Sequence, residues 1–324
     1  MTDSARLAAD TAMGAVTLDV ADLDLMTRYY GGTLGLDVLS AEGGVVVLGR
    51  AGRAADGAVR GAGSASGTDD RGRPARPLVV LRHAPALRHA GPSEAGLFHT
   101  AILFETQAAL AAAVSAVAQA HPGSFTGSSD HLVSQAFYFD DPEHNGVELY
   151  WDRDRTEWSW VHGRVEMSTL FLDPNAFLRE HLTEDALAAH GSAPATVGHV
   201  HLSVGDVATA RDFYVDRLGF DLTTTYGDQA IFVSAGGYHH HMAMNTWRSR
   251  GAGVRTRALG LGQVDIVLPG SDELGATAER LRHHGLAVRD DGRTLEVDDP
   301  WGTVLRLTPA AATTPARELV TPAL

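Results

Sequence analysis

Residues 14–36 recur at 198–220, every match offset by the same 184 positions. Gly14-Ala15-Val16-Thr17-Leu18-Asp19-Val20 is answered by Gly198-His199-Val200-His201-Leu202-Ser203-Val204. Asp22 is answered by Asp206, Tyr29-Tyr30 by Phe213-Tyr214, and Gly35-Leu36 by Gly219-Phe220. Register kept over more than twenty residues is the mark of duplication. It constrains the fold strongly, because a recurring unit must be a supersecondary structure that packs against its own copies.

Each copy reads as a strand, a helix and further strands. The alternation in 16–20 and 200–204 suits a half-buried strand. Asp22 and Asp206 can each cap a helix carrying the aromatic pair on its buried side, and Gly35 and Gly219 stop it. Residues 45–48 and 230–234 then read as strands. Two further segments repeat the outline: strand 97–104, Ala-rich helix 107–119 and strands 135–139 and 146–151, against strand 262–268, helix 272–283 and strand 303–307. Aligning Asp141-Pro142 with Asp299-Pro300 sets Glu148 opposite Arg306 and His99 opposite Gln263. The chain thus divides into modules one and two over 10–151, a connector at 152–196, and modules three and four over 197–310. Residues 51–77, rich in Gly, Ala, Arg, Ser, Asp and Pro, cannot bury enough apolar surface to offset the entropy of ordering and are expected to form a mobile insertion. Trp158 and Trp160 are expected to pin the connector down.

Composition narrows the chemistry. A formal net charge of -14 over 324 residues opposes a nucleic-acid groove or an anionic membrane surface. The chain has no Lys and no Cys, which excludes a Schiff-base lysine, a disulfide, a thiolate nucleophile and a zinc-thiolate site. Any metal must bind through His, Asp, Glu or water. With no secretory signal and no run long enough to cross a bilayer, a cytoplasmic protein is the expectation.

Metal-ligating types occur in suitable places only in the two middle modules. His99 and His199 begin strands, where the first inward residue points into the concave face, and Glu148 sits near the end of a last strand among Val147, Leu149 and Tyr150, where an unpaired carboxylate is costly. Two imidazoles and a carboxylate from three strands form a facial triad that leaves adjacent coordination positions free. In the run His239-His240-His241, strand alternation puts His239 and His241 on one face. His241 is then a fourth ligand or a proton donor and acceptor beside the metal, and His239 lies at the rim; the run can equally be a satisfied polar edge. His201 points the same way as His199 and is expected to line the pocket or support a substrate oxygen. His131 and Tyr150 are further pocket candidates, and Asn245 a group that orients a neighbour.

These residues resemble the vicinal oxygen chelate superfamily (glyoxalase, bleomycin resistance and extradiol dioxygenase), and within it four-module catechol 2,3-dioxygenase-like proteins. The matching stretches are Leu97-Phe98-His99-Thr100, Ser129-Asp130-His131-Leu132-Val133-Ser134, the run from Asp141 through Glu148 to Tyr150, Gly198-His199-Val200-His201-Leu202, and Gly236-Gly237-Tyr238-His239-His240-His241-Met242 through Asn245-Thr246-Trp247. The resemblance implies an α+β fold of four βαβββ modules forming two concave mixed-sheet barrels. It implies metal ligation by His199, His99 and Glu148, with His241 trading protons or, as in glyoxalase-type relatives, ligating. The implied activity is Fe(II)-dependent extradiol cleavage of a catechol-like diol by dioxygen, and Mn(II), Ni(II) or Zn(II) suit the same donors. The alternatives are a glyoxalase-like isomerase or lyase, in which Glu148 moves a proton, and a non-catalytic aromatic-ligand-binding protein. Because module four offers Gln263 and Arg306 and module one Ala15, the complete site is expected between modules two and three; pairing one with two and three with four would leave each half incomplete. Exposed sheet edges suit a homodimer.

Overall fold

A computed structural model of the protein describes residues 6–50 and 75–310. Most of the insertion expected at 51–77 lies outside the described residues, and Arg76 and Pro77 begin a strand. Module one comprises β1 (Ala12–Val20), α1 (Leu23–Thr27), β2 (Asp37–Glu42), β3 (Val45–Arg50) and β4 (Arg76–His83). Module two comprises β5 (Gly96–Phe104), α2 (Gln107–Ala120), β6 (Phe125–Asp130), β7 (Ser134–Asp140) and β8 (Gly146–Asp152). The connector holds β9 (Trp160–Val161), β10 (Arg164–Val165), β11 (Leu170–Phe171), α3 (Pro174–His181) and α4 (Glu184–Ala189). Module three comprises β12 (Ala195–Ser203), α5 (Val207–Arg211), β13 (Asp221–Tyr226), β14 (Ala230–Ser234) and β15 (Met242–Asn245). Module four comprises β16 (Gly260–Leu268), α6 (Ser271–His283), β17 (Val288–Asp290), β18 (Leu295–Asp298) and β19 (Val304–Pro309). Among the described residues no helix is long and apolar enough to cross a membrane.

The strands make two large mixed sheets, in the orders β17-β18-β19-β16-β1-β4-β3-β2 and β11-β6-β7-β8-β5-β12-β15-β14-β13. At each centre the first strands of two modules pair antiparallel, β1 with β16 and β5 with β12, and each is flanked by the last strand of its own module running parallel to it. Modules one and four thus share one sheet, modules two and three the other. The two barrels expected from the resemblance are not formed. Both sheets are open, because closure requires the two edge strands to pair, and β17 does not meet β2 nor β11 meet β13. The nine-stranded sheet curls into an open half-barrel, whereas the eight-stranded sheet is neither closed nor curled.

The duplication persists in detail. Asp22 accepts a hydrogen bond from the Leu25 amide at 2.8 Å and Asp206 from that of Thr209 at 2.7 Å, so each caps its helix. Both helices widen into a π-helical turn, Arg28–Thr33 and Asp212–Arg217, carrying the buried aromatic pairs. Gly35 and Gly219 follow at φ +70° and +100°, a region that favours glycine. The central strands are buried on both faces rather than half-buried, since Asp19, His99, His199 and His201 are buried along with their apolar neighbours. In the connector Trp158 is buried against Val133, Val165 and Tyr238, while Trp160 is exposed.

The sheets are tied together by one hydrogen bond made twice. Tyr30 Oη of module one donates to Asp141 Oδ2 of module two at 2.9 Å, and Tyr214 Oη of module three to Asp299 Oδ2 of module four at 3.0 Å. Burial pushes the Asp141 carboxyl up to about 6, against the opposing pull of hydrogen bonds from Asn145, Tyr30 and Glu143. The folded state therefore holds this proton more tightly than the unfolded chain, whose carboxyl titrates near 3.8. The resulting stabilisation is full below pH about 4 and is lost as pH rises through about 6, an effect of roughly 3 kcal/mol. Asp141→Asn removes the titration. The difference in unfolding free energy between wild type and variant should shrink by that amount between pH 4 and 7 in urea titrations, and a pH-independent difference would contradict this account.

Candidate metal centre

The site grows from the central antiparallel pair of the curled sheet. His201 on β12 lies directly opposite His99 on β5, and His199 opposite Ala101, with a bulge between Val197 and His199 that sets the phase of the latter. On the other flank of β5, the parallel strand β8 places Glu148 beside Ala101. These registers bring His99, Glu148 and His199, all buried, to within 4.8 Å of one another through one donor atom each. His99 Nε2 stands 2.9 Å and His199 Nε2 3.0 Å from the same oxygen, Glu148 Oε2.

The donor set fits a divalent ion. His199 makes a hydrogen bond to Glu148, but His99 Nε2, 2.9 Å from the same oxygen, makes none and is left buried and unpartnered. An orphaned imidazole nitrogen facing a carboxylate and a second imidazole is costly as a purely organic cluster, and an ion at their centre satisfies all three. Burial pushes the Glu148 carboxyl upward, but the His199 and His99 imidazoles outweigh it and hold it well below the usual carboxylate range. Burial lowers His199, against the opposing pull of Glu148. Coordination requires an ionised carboxylate, and the lowering of Glu148 favours that form. His199 Nδ1 has no hydrogen-bond partner, so packing between Tyr150 and His240, with ring centroids at 4.8 and 4.1 Å, orients the ring.

The other candidates fall around this trio. Asn245 Nδ2 donates to His201 Nε2 at 2.9 Å, which assigns the His201 proton to Nδ1 when the ring is neutral. Burial, followed by the charges of His99 and His199, pushes His201 well below its ordinary value. Phe98 and Trp247 stand edge-on to the His201 ring at 4.9 and 5.3 Å and make an aromatic wall. His131 Nδ1 lies 2.7 Å from the Ser168 carbonyl and its Nε2 2.7 Å from Tyr138 Oη, so it is held rather than free in a loop. Tyr150 backs His199 and hydrogen-bonds Tyr238 at 2.8 Å; its hydroxyl fills the space beside Gly198, where a Cβ would lie 1.7 Å away. His239 is fully buried and bonded to Asp152, not at a rim.

His241 lies apart from the trio. Its Nδ1 accepts from the Ala235 amide at 3.1 Å, and its ring packs near Tyr238 and Phe220. Burial first, then His239 and Arg155, drives it down to about 3. His240 instead contacts His199. The alternation that selected His241 does not apply, because β15 begins at Met242 and the histidines occupy a bend that follows Gly236 and Gly237, both at positive φ. Tyr138 also escaped the sequence reading. It lies directly opposite Glu148 on β7, its hydroxyl 2.7 Å from His131 Nε2, and burial followed by the charge of Glu148 raises that hydroxyl well above its ordinary value. The available signal was a lone hydroxyl-bearing aromatic between Phe137 and Phe139, facing opposite to both.

In the flat sheet the equivalent positions hold an organic cluster. Arg306 forms a two-point ion pair with Asp265, and Gln263 Nε2 donates to Asp265 Oδ1 at 2.6 Å. Charge is neutralised there by a guanidinium, in the place where the curled sheet has two imidazoles and a carboxylate.

Relatives agree with this architecture. A profile of the Glyoxalase/Bleomycin resistance protein/Dioxygenase superfamily matches residues 196–307. Over 295 residues, 90% of this chain and 94% of the relative, the sequence is 34% identical to the catechol-2,3-dioxygenase of Bacillus subtilis (strain 168). A solved structure from Bacillus subtilis subsp. subtilis str. 168 superposes with a TM-score of 0.60 at 13% identity, covering 95% of this chain and 87% of the other. Glyoxalase I from Zea mays gives a TM-score of 0.51 at 14% identity, with 93% and 92% covered. The chain belongs to the vicinal oxygen chelate superfamily, the glyoxalase, bleomycin resistance and dioxygenase group.

Proposed function

We propose that the protein is an extradiol ring-cleaving dioxygenase that uses Fe(II), held by His99, Glu148 and His199, to open a catechol-like aromatic diol. The observation carrying this reading is the convergence of both Nε2 atoms on one Glu148 oxygen with no fourth protein donor in the cluster among the described residues. Three donors leave room for a chelating diol and dioxygen, whereas a glyoxalase-type site draws a further ligand from the chain. The 34% identical catechol-2,3-dioxygenase supports the same choice.

When bound, the ion supplies Lewis acidity and a route for electrons between diol and dioxygen. The chain supplies the rest. Phe98 and Trp247 offer ring faces and edges to a planar aromatic substrate and exclude water from its flank. His240 is the histidine of the run that packs against His199, with ring centroids at 4.1 Å, and from there its Nε2 can exchange a proton with the diol. Tyr138 Oη and His201 stand on other sides of the trio to hold substrate oxygens. Both atoms of dioxygen enter the product as the carbon–carbon bond beside the diol breaks, giving a muconic semialdehyde-type compound.

Oxygen uptake should follow addition of catechol to protein loaded anaerobically with Fe(II), with one dioxygen consumed per diol and a yellow product. Absence of uptake together with isomerisation of a hemithioacetal would place the protein with the glyoxalase-like alternative.

A further inference from the structure

The Glu148-bearing face of β8 also carries Tyr150 and Asp152, since alternate residues share a face. Asp152 receives two donors from outside that strand: Tyr238 Oη reaches Oδ2 at 2.7 Å and His239 Nε2 reaches Oδ1 at 2.9 Å. Tyr150 Oη lies 2.8 Å from Tyr238 Oη, and because the Tyr238 proton goes to Asp152, Tyr150 must donate to Tyr238. The whole chain of hydroxyls therefore points its protons towards this carboxylate.

A carboxylate only accepts, so His239 carries a proton on Nε2, and with that ring neutral its Nδ1 presents a lone pair. That lone pair lies 2.8 Å from His240 Nδ1. Two bare nitrogens at such a distance would repel, so His240 bears its proton on Nδ1 and none on Nε2. The assignment is directional: Asp152 sets His239, and His239 sets His240. Without Asp152 the opposite arrangement becomes available, with His239 Nδ1 donating and the proton of His240 moved to Nε2. The His240 ring centroid stands 4.1 Å from that of His199, and its Nε2 has no hydrogen-bond partner among the described residues.

We propose that Asp152 and His239 are positioning residues that fix the tautomer of His240 and keep its Nε2 a bare acceptor beside the metal-ligating trio. The use made of that nitrogen rests on the dioxygenase reading above; the tautomer rests on the hydrogen bonds of a neutral His239. Neither residue touches substrate in this scheme.

The test is long-range proton–nitrogen correlation spectroscopy of the metal-free, nitrogen-15 histidine-labelled full chain, with the His240 resonances assigned by their loss in His240→Gln. The wild type should show the Nδ1–H tautomer. Asp152→Ala and His239→Phe should each lower the ratio of Nδ1–H to Nε2–H at least about tenfold, the change expected for losing one hydrogen bond to a charged group. Asp152→Asn, whose amide oxygen can still accept from His239, should preserve it. Metal stoichiometry should be unchanged in all three, while kcat for catechol falls about 10- to 100-fold in the first two with KM little altered. An Nε2–H tautomer in the wild type, or an unaltered ratio in both Asp152→Ala and His239→Phe, would overturn the proposal. A wild type that turns over no catechol would instead remove the dioxygenase reading while the spectra still decide the tautomer.

Discussion

Glu148→Gln is expected to abolish metal retention and oxygen uptake together while leaving a folded protein. The Glu148 carboxylate is the trio's only anionic donor, and both Nε2 atoms face its Oε2. Gln keeps the volume and can still accept the His199 hydrogen bond through its amide oxygen, so the fold without metal should survive. A divalent ion is then left with two neutral imidazoles. Uptake should fall by at least about 1,000-fold, beyond the 10- to 100-fold that loss of a supporting group costs. In the wild type, an ion present at 1,000 times its dissociation constant should add about 4 kcal/mol of stability. That corresponds to a rise of roughly 6 °C in Tm for a chain of this size. The variant should show no such rise. Elemental analysis and thermal unfolding with and without Fe(II) measure both effects, and a variant that retains one ion per chain would exclude Glu148 as a ligand.

The largest effect on stability is expected from one added methyl group, in Gly146→Ala. Gly146 opens β8 where that strand runs beside β5, and a Cβ there would lie 2.1 Å from the Phe98 carbonyl oxygen and 3.1 Å from His99 Cβ. Backbone cannot step aside as a flexible side chain can, so the strands must separate. The parallel pairs Thr100 with Val147 and Ala101 with Glu148 would be stretched, and Glu148 would move away from His99. Overpacking of this kind should cost about 3 kcal/mol or more and weaken metal retention as well. Gly123→Ala, where nothing lies within 4 Å, is the control and should change stability by less than about 0.5 kcal/mol. Equal stability of the two variants in urea unfolding would contradict the close approach of β8 to β5.

Much of the architecture was legible because duplication leaves a fixed offset. The helix caps Asp22 and Asp206, the aromatic pairs and the glycine stops all follow from matching one copy to another. The convergence of residues 99, 148 and 199 was legible for a related reason: the two outer modules have Ala15, Gln263 and Arg306 where the inner modules have ligand types, which leaves one pairing with a full donor set. What was not legible depends on curvature and phase. Whether a sheet closes is decided by where its edge strands end, and no count of modules reveals that β11 and β13 stay apart. The choice between His240 and His241 turned on Gly236 and Gly237, whose positive φ angles bend the chain and shift the phase of everything before Met242. Tyr138 and Asp152 are single polar side chains in ordinary strands, and only the register of β7 and β8 and the bend carrying His239 give them partners.

The most direct measurement is anomalous scattering from crystals grown with Fe(II), recorded on both sides of the iron absorption edge. The account predicts one peak per chain within about 2.0–2.2 Å of His99 Nε2, His199 Nε2 and a Glu148 oxygen. A peak that omits any one of these three donors, or no peak in protein that retains iron in solution, would contradict it.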